Sequence, residues 1–150
     1  MSLDGTYDNA NIFAKILRGE ASAIRVYEDT DALAFMDLFP QSTGHVLVIS
    51  KTSTARNLLD VDATVLTKLM IVVQRVAQAA RAALQPDGVT IVQFNGQEAG
   101  QTVFHLHFHV IPIWAGRPLK GHGHGEMADA DQLSRLAGKI AAHLQDAPAG

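Results

Sequence analysis

Hydrophobic positions along the chain follow two periodicities, and the changes between them mark the elements. Ile12, Phe13, Ile16 and Leu17 recur at helical spacing within residues 11–18, and Gly19 follows as a natural stop, which predicts a short helix. Residues 24–28 and 32–37 are strand-like runs, and the turn chemistry of Glu28-Asp29-Thr30-Asp31 between them predicts a hairpin. After a loop over 39–44, His45-Val46-Leu47-Val48-Ile49 is nearly continuously apolar, the mark of a central strand. Asp62 can cap a long helix over 63–84, with Val65, Leu69, Val72, Val76 and Ala80 along one face and Pro86-Asp87-Gly88 ending it. Residues 89–95 and 103–111 predict two further strands, with a polar loop over 96–101 between them and Pro112 closing the second. A glycine-rich stretch over 115–127 leads to an exposed helix over 129–144, with Leu133, Leu136, Ile140 and Leu144 along one side. Residues 1–8 are small and polar and predict a loose start. Most strand connections are of hairpin length. The expected class is therefore α+β: an antiparallel five-stranded sheet with the long helix on one face, a short N-terminal helix and a C-terminal helix. One domain over 1–150 is expected, with its core over about 11–114 and the loop and last helix over 115–150.

Composition narrows the function more than the fold. Apolar residues make up 47% of 150 and charged residues 18%, as in a globular chain with a sizeable core. Cysteine is absent, which excludes disulfides, thiolate zinc sites, iron–sulfur clusters and a cysteine nucleophile. A net charge of -3 supplies no global field toward nucleic acid or an anionic membrane. The aliphatic run Leu69-Met70-Ile71-Val72-Val73 is far too short to span a bilayer, and the N-terminus shows no signal-peptide pattern, so a cytoplasmic protein is expected. Neither a Walker-type phosphate loop nor a dinucleotide fingerprint occurs, which disfavours kinase-like and nicotinamide-dependent chemistry.

The chain has seven histidines, and three of them stand in five residues, at His105, His107 and His109. Alternation along a strand sends Phe104, Leu106, Phe108 and Val110 to the core and the three imidazoles to the opposite face. A one-residue slip would bury the imidazoles and expose two phenylalanines, so the register is set. By spacing alone such a triplet suits a transition metal and a nucleophilic site equally well. A neutral imidazole can attack phosphorus, provided its second nitrogen keeps its proton and is oriented by an acceptor.

The loop and strand together read Gly-Gln-Thr-Val-Phe-His-Leu-His-Phe-His-Val over residues 100–110. This resembles the histidine triad (HIT) family of nucleotide hydrolases and transferases, whose signature alternates histidine with apolar residues. Residues 11–16, Asn-Ile-Phe-Ala-Lys-Ile, resemble the family's opening helix, and residues 35–41 and 44–49 resemble its nucleoside-binding strand and the strand after it. Within the family the chain looks most like the Hint branch, which hydrolyses nucleoside phosphoramidates, rather than the Fhit branch.

The resemblance implies a role for each matching residue. His107 would be the nucleophile, forming a nucleotidyl-imidazole that water hydrolyses. His109 would contact the phosphate and assist the leaving group. His105 would be mainly structural, its carbonyl accepting from His107, and His45 would support the cluster from behind. Asn95, Gly100, Gln101, Thr102 and Val103 would lie near the phosphate, Thr102 standing where relatives usually carry serine. Asp37 would accept from the two ribose hydroxyls, a pairing that suits a carboxylate. Ile12, Phe13, Ile16, Phe35 and Leu38 would form an apolar slot for the base. Relatives that bind a structural zinc carry two cysteines where Asn11 and Ala14 stand, and a further histidine after the position of Lys51, so no metal and no cofactor are expected. The implied substrate is a purine nucleoside phosphoramidate or related adenylate, and the implied state is a homodimer. A diadenosine polyphosphate hydrolase and a nucleotide-binding regulatory module are the alternatives. For the polyphosphate reaction Arg117 and Lys120, with His122 and His124, are the local cationic candidates.

Overall fold

The structure, a computed structural model, describes residues 3–120 and 126–144. The element order is α1 (Ile12–Leu17), β1 (Arg25–Glu28), β2 (Ala32–Met36), β3 (Val46–Ser50), α2 (Ala63–Leu84), β4 (Gly88–Val92), a 3-10 turn (Gln97–Ala99), β5 (His107–Ile113) and α3 (Ala130–Leu144). The five strands form one sheet in the order β1-β2-β3-β5-β4, antiparallel throughout. β3 lies at its centre, as its continuous apolar run predicts.

Each helix starts where the sequence provides a cap. The Asn11 side chain accepts from the Ala14 N–H and that of Asp62 from the Thr64 N–H, satisfying donors that the first turn leaves over. α2 ends on Gln85 in the left-handed conformation. One sheet face carries Ala34, Met36, Val46, Val48, Phe108 and Val110 and packs on Leu69, Val72, Val73 and Val76 of α2. The other face carries Leu33, Phe35, Leu47 and Ile49 and packs on Phe13 and Ile16 of α1. Alternation in β5 then follows from pairing. Val48 opposes Phe108 and Val46 opposes Val110 on the α2 face, while Ile49 opposes His107 and Leu47 opposes His109 on the α1 face.

Six expectations need correction. β5 begins at His107 rather than at residue 103, because the chain before it bonds outside the ladder: the Leu106 N–H donates to the Ala55 carbonyl at 3.0 Å, and the Val103 carbonyl accepts from Gln101 Nε2. β5 also runs through Pro112, which pairs with Val89. The Pro112 carbonyl accepts from Ser42 Oγ, so its missing N–H faces the side where β3 has already ended and breaks no ladder bond. Phe104 is not in the core but lies under the Arg56 guanidinium, 4.7 Å from ring centroid to Cζ. α3 buries Leu133, Ala137, Ile140 and Leu144 against α2 and the sheet edge and is not an exposed helix. The N-terminal segment is held rather than loose: the Leu3 carbonyl accepts from Arg56 Nη1 at 3.3 Å and Asn57 Nδ2 at 3.4 Å. The 93–95 stretch leaves β4 early, since Gln93 Nε2 bonds locally to the Phe94 carbonyl and Asn95 Oδ1.

Candidate active site

The α1 face of the sheet opens into a cleft of about 390 Å³. Ile12, Phe13 and Ile16 of α1 form one wall, Phe35 and Asp37 with Leu38 a second, and Thr102, Val103, His107 and His109 the floor. These are most of the residues expected to bind substrate. Ser22, Ala23, Phe39 and Leu47 line the cleft as well and were not foreseen. Leu47 was within reach of sequence reasoning, because strand alternation puts it on the histidine face opposite His109. Ser22 and Ala23 lie in an irregular connection whose path no periodicity reports.

Proton positions in the histidine cluster follow from which partners can only donate or only accept. His107 Nδ1 lies 2.7 Å from the His105 carbonyl oxygen, so Nδ1 carries the proton. In the neutral ring the lone pair then resides on Nε2. Phe13 packs edge-on against this imidazole, with centroids 4.9 Å apart, and holds its plane.

A second chain of hydrogen bonds starts at the loop before β3. The Gln41 N–H donates to His45 Nδ1 at 3.0 Å, which places the His45 proton on Nε2. His45 Nε2 lies 2.9 Å from His109 Nδ1, which must therefore accept, and the neutral His109 ring holds its proton on Nε2. His45 is fully buried, and the chain ends at His109 on the cleft floor. Asp37 stands beside this pair: its Oδ1 accepts from the Phe39 N–H at 2.8 Å, and its Oδ2 is 3.5 Å from His45 Nε2. With its side chain 18% exposed, the carboxylate remains accessible at the cleft wall.

His105 differs from its two neighbours. Its Nε2 donates to the Ser50 carbonyl at 3.1 Å, and its Nδ1 accepts from the Tyr7 hydroxyl at 2.7 Å. Burial pushes its pKa below the ordinary imidazole range, against the opposing pull of the Ser50 carbonyl. With both nitrogens engaged, His105 offers no ligand atom to an ion shared with His107 and His109. Another arrangement, Asp37 with His45 and His109, brings three potential ligand atoms within 4.8 Å of one another. A metal there would have to displace the proton that His45 shares with His109.

Not every expected phosphate contact belongs to the cleft. Gln101 is buried and structural, its Nε2 donating to the Arg56 and Val103 carbonyls and its Oε1 accepting from the Gly96 N–H. Asn95 Oδ1 accepts from the Leu58 N–H and ties the loop over 56–60 to the strand end. Gly100 adopts φ +110 with the Phe94 ring 3.2 Å from where a Cβ would stand. All three shape the loop that carries Thr102 and do not line the cleft. Arg117 and Lys120 line a separate cavity of about 340 Å³ with Gln41, Ser42 and Leu136, which no described histidine lines. His122 and His124 lie outside the described residues.

Comparison with known proteins decides the family. Residues 18–115 match the model of the HIT domain. This chain belongs to the HIT family. The HIT-like protein involved in cell-cycle regulation from Bartonella henselae superposes with a TM-score of 0.87 at 46% identity, covering 93% of this chain and 99% of that one. An uncharacterized HIT-like protein of Mycobacterium tuberculosis, Rv1262c, is 40% identical over 86% of this chain and 88% of its own length. The adenosine 5′-monophosphoramidase HNT1 of Saccharomyces cerevisiae is 33% identical over 97% of this chain and 89% of its own. The five-stranded antiparallel sheet with its helices is the fold of these HIT structures.

Proposed function

We propose that this HIT protein is a hydrolase that cleaves purine nucleoside 5′-phosphoramidates or related adenylates through a nucleotidyl-His107 intermediate, releasing a nucleoside monophosphate. The observation that carries the reading is the 2.7 Å contact of His107 Nδ1 with the His105 carbonyl, which leaves the Nε2 lone pair for attack on the floor of the cleft. The base enters the slot of Ile12, Phe13, Ile16, Phe35 and Leu38, and Asp37 accepts from the ribose hydroxyls. His107 Nε2 attacks phosphorus. The P–N bond breaks, and the amine leaves with a proton from solvent at the open mouth. His109 Nε2–H and the Thr102 hydroxyl donate to the phosphoryl oxygens as charge develops there. The cationic phosphoimidazole keeps its Nδ1–H on the His105 carbonyl. Water then attacks phosphorus, the P–Nε2 bond breaks, and a proton passes to solvent.

The name of the yeast relative supports this reaction class. A small amine leaving group is favoured because Arg117 and Lys120, the cations a polyphosphate would call on, line another cavity. No metal or cofactor enters the reaction, the protein acts as a homodimer, and its compartment is the cytoplasm. A side-by-side assay tests the substrate. kcat/KM is expected to be higher on adenosine phosphoramidate than on diadenosine tetraphosphate, and to survive exhaustive EDTA treatment. The reverse preference would move the assignment to polyphosphate hydrolysis, and zinc-restorable loss in EDTA would make the Asp37, His45 and His109 group a metal site.

A further inference from the structure

The N-terminal segment brings to the histidine cluster a group that does not touch the cleft. Tyr7 is partly buried, its hydroxyl 2.7 Å from His105 Nδ1 and its ring 5.7 Å from that imidazole between centroids. It does not line the cleft, and it sits 98 residues from His105 along the chain. The His105 peptide is the acceptor that fixes the His107 tautomer. Two bonds from this peptide unit bear on the reaction: its carbonyl accepts from His107 Nδ1, and the next N–H, that of Leu106, donates to the Ala55 carbonyl. The His105 ring is clamped in turn between the Ser50 carbonyl and the Tyr7 hydroxyl.

We propose that Tyr7 is a positioning residue for the nucleophile: by donating to His105 Nδ1 it holds the ring in its Nε2–H form, and so holds the carbonyl that keeps the His107 proton on Nδ1. The chemistry is one of forced choices. A carbonyl only accepts, so Ser50 demands the proton on His105 Nε2, and Tyr7 stabilises the lone pair that this leaves on Nδ1. Without the hydroxyl, a buried imidazole nitrogen faces an apolar ring. The favoured relief is a ring flip or a water, and either one loosens the peptide that His107 depends on. Phe13 braces the His105 and His107 rings from the cleft side, at centroid distances of 6.2 and 4.9 Å, and the Tyr7 hydroxyl adds the polar hold on His105 that an apolar ring cannot give.

This inference rests on His107 being the nucleophile, and its test has a readout that does not need turnover. Tyr7→Phe removes only the hydroxyl. On adenosine phosphoramidate, kcat is expected to fall about fivefold to tenfold, the scale of one lost hydrogen bond at a buried group, with KM within about twofold of wild type. Imidazole 15N spectra of the wild type are expected to show His105 as the Nε2–H tautomer and His107 as the Nδ1–H tautomer. In Tyr7→Phe the His107 signals are expected to move toward the exchange average of the two tautomers. Unchanged tautomers in the variant would overturn the proposal whatever the rate does, because a loss of rate would then reflect packing of the N-terminal segment. A shifted tautomer with kcat within about twofold would overturn it also. If the wild type turns over no phosphoramidate, the reading of the reaction fails while the spectra still decide what Tyr7 holds.

Discussion

Asp37 is the residue on which the proposed nucleoside recognition depends. It follows β2 directly, its Oδ1 accepts from the Phe39 N–H, and its Oδ2 lies 3.5 Å from His45 Nε2 while still facing the cleft. Charge-assisted hydrogen bonds are stronger than neutral ones, so Asp37→Ala is expected to raise KM for adenosine phosphoramidate about tenfold or more. A substrate lacking both ribose hydroxyls should show the same loss with the wild-type enzyme and no further loss with the variant. Equal discrimination by both enzymes would remove the ribose from the assignment. His105 sets a second expectation. Its pKa is depressed in the folded chain by burial, below the value near 6.5 that it has when unfolded. As pH falls through about 6.5 the unfolded chain takes up this proton first, so stability rises with pH across that window and is lost below it. The thermal midpoint should be lower at pH 5 than at pH 7.5, and the slope shallower in His105→Gln; an unchanged slope would assign the effect elsewhere. The role of each histidine was only partly legible. Their common face follows from alternation, but the difference between His105 and His107 depends on Tyr7, Ser50 and a backbone carbonyl, which no spacing in the sequence reports.

Elements with strong local signals stand where the pattern puts them. α2 spans Ala63–Leu84 as read from the Asp62 cap and the apolar stripe, because a helix of this length carries its own hydrogen bonds. Strand limits depend on the neighbour strand and were less legible: β5 starts late because the Leu106 N–H turns to the Ala55 carbonyl, and it continues through Pro112 because β3 ends first. The turn before β3 leads directly into the site. Gly44 adopts φ +85, and a Cβ there would stand 2.4 Å from Leu84 Cδ1, immediately before His45. Gly44→Ala should therefore cost about 2 kcal/mol through left-handed strain and crowding, a drop in thermal midpoint of roughly 4–8 °C. Because His45 passes the proton pattern to His109, kcat should fall with it; a wild-type midpoint and rate would show that the turn tolerates a side chain.

At the scale of the molecule, two apolar surfaces call for partners. α2 packs on the sheet and on α3, yet Met70 and Ile71 remain 38% and 43% exposed, and Ile91 on the edge strand β4 is 41% exposed. Val73, further along the same helix, belongs to the core. The proposed homodimer would cover the exposed surfaces. Light scattering at micromolar concentration should report twice the chain mass for the wild type and a shift toward monomer for Ile71→Glu, and a monomeric wild type would contradict the dimer.

The chemistry of the whole account converges on one nitrogen, Nε2 of His107. Rapid quenching during turnover of adenosine phosphoramidate, followed by peptide mass mapping, tests it most directly. An adenylyl group is expected on His107 in the wild-type enzyme. In His107→Ala the adduct should vanish together with nearly all turnover, while AMP binding remains. Turnover at the wild-type rate in His107→Ala, or an adduct on another residue, would contradict nucleophilic catalysis by His107.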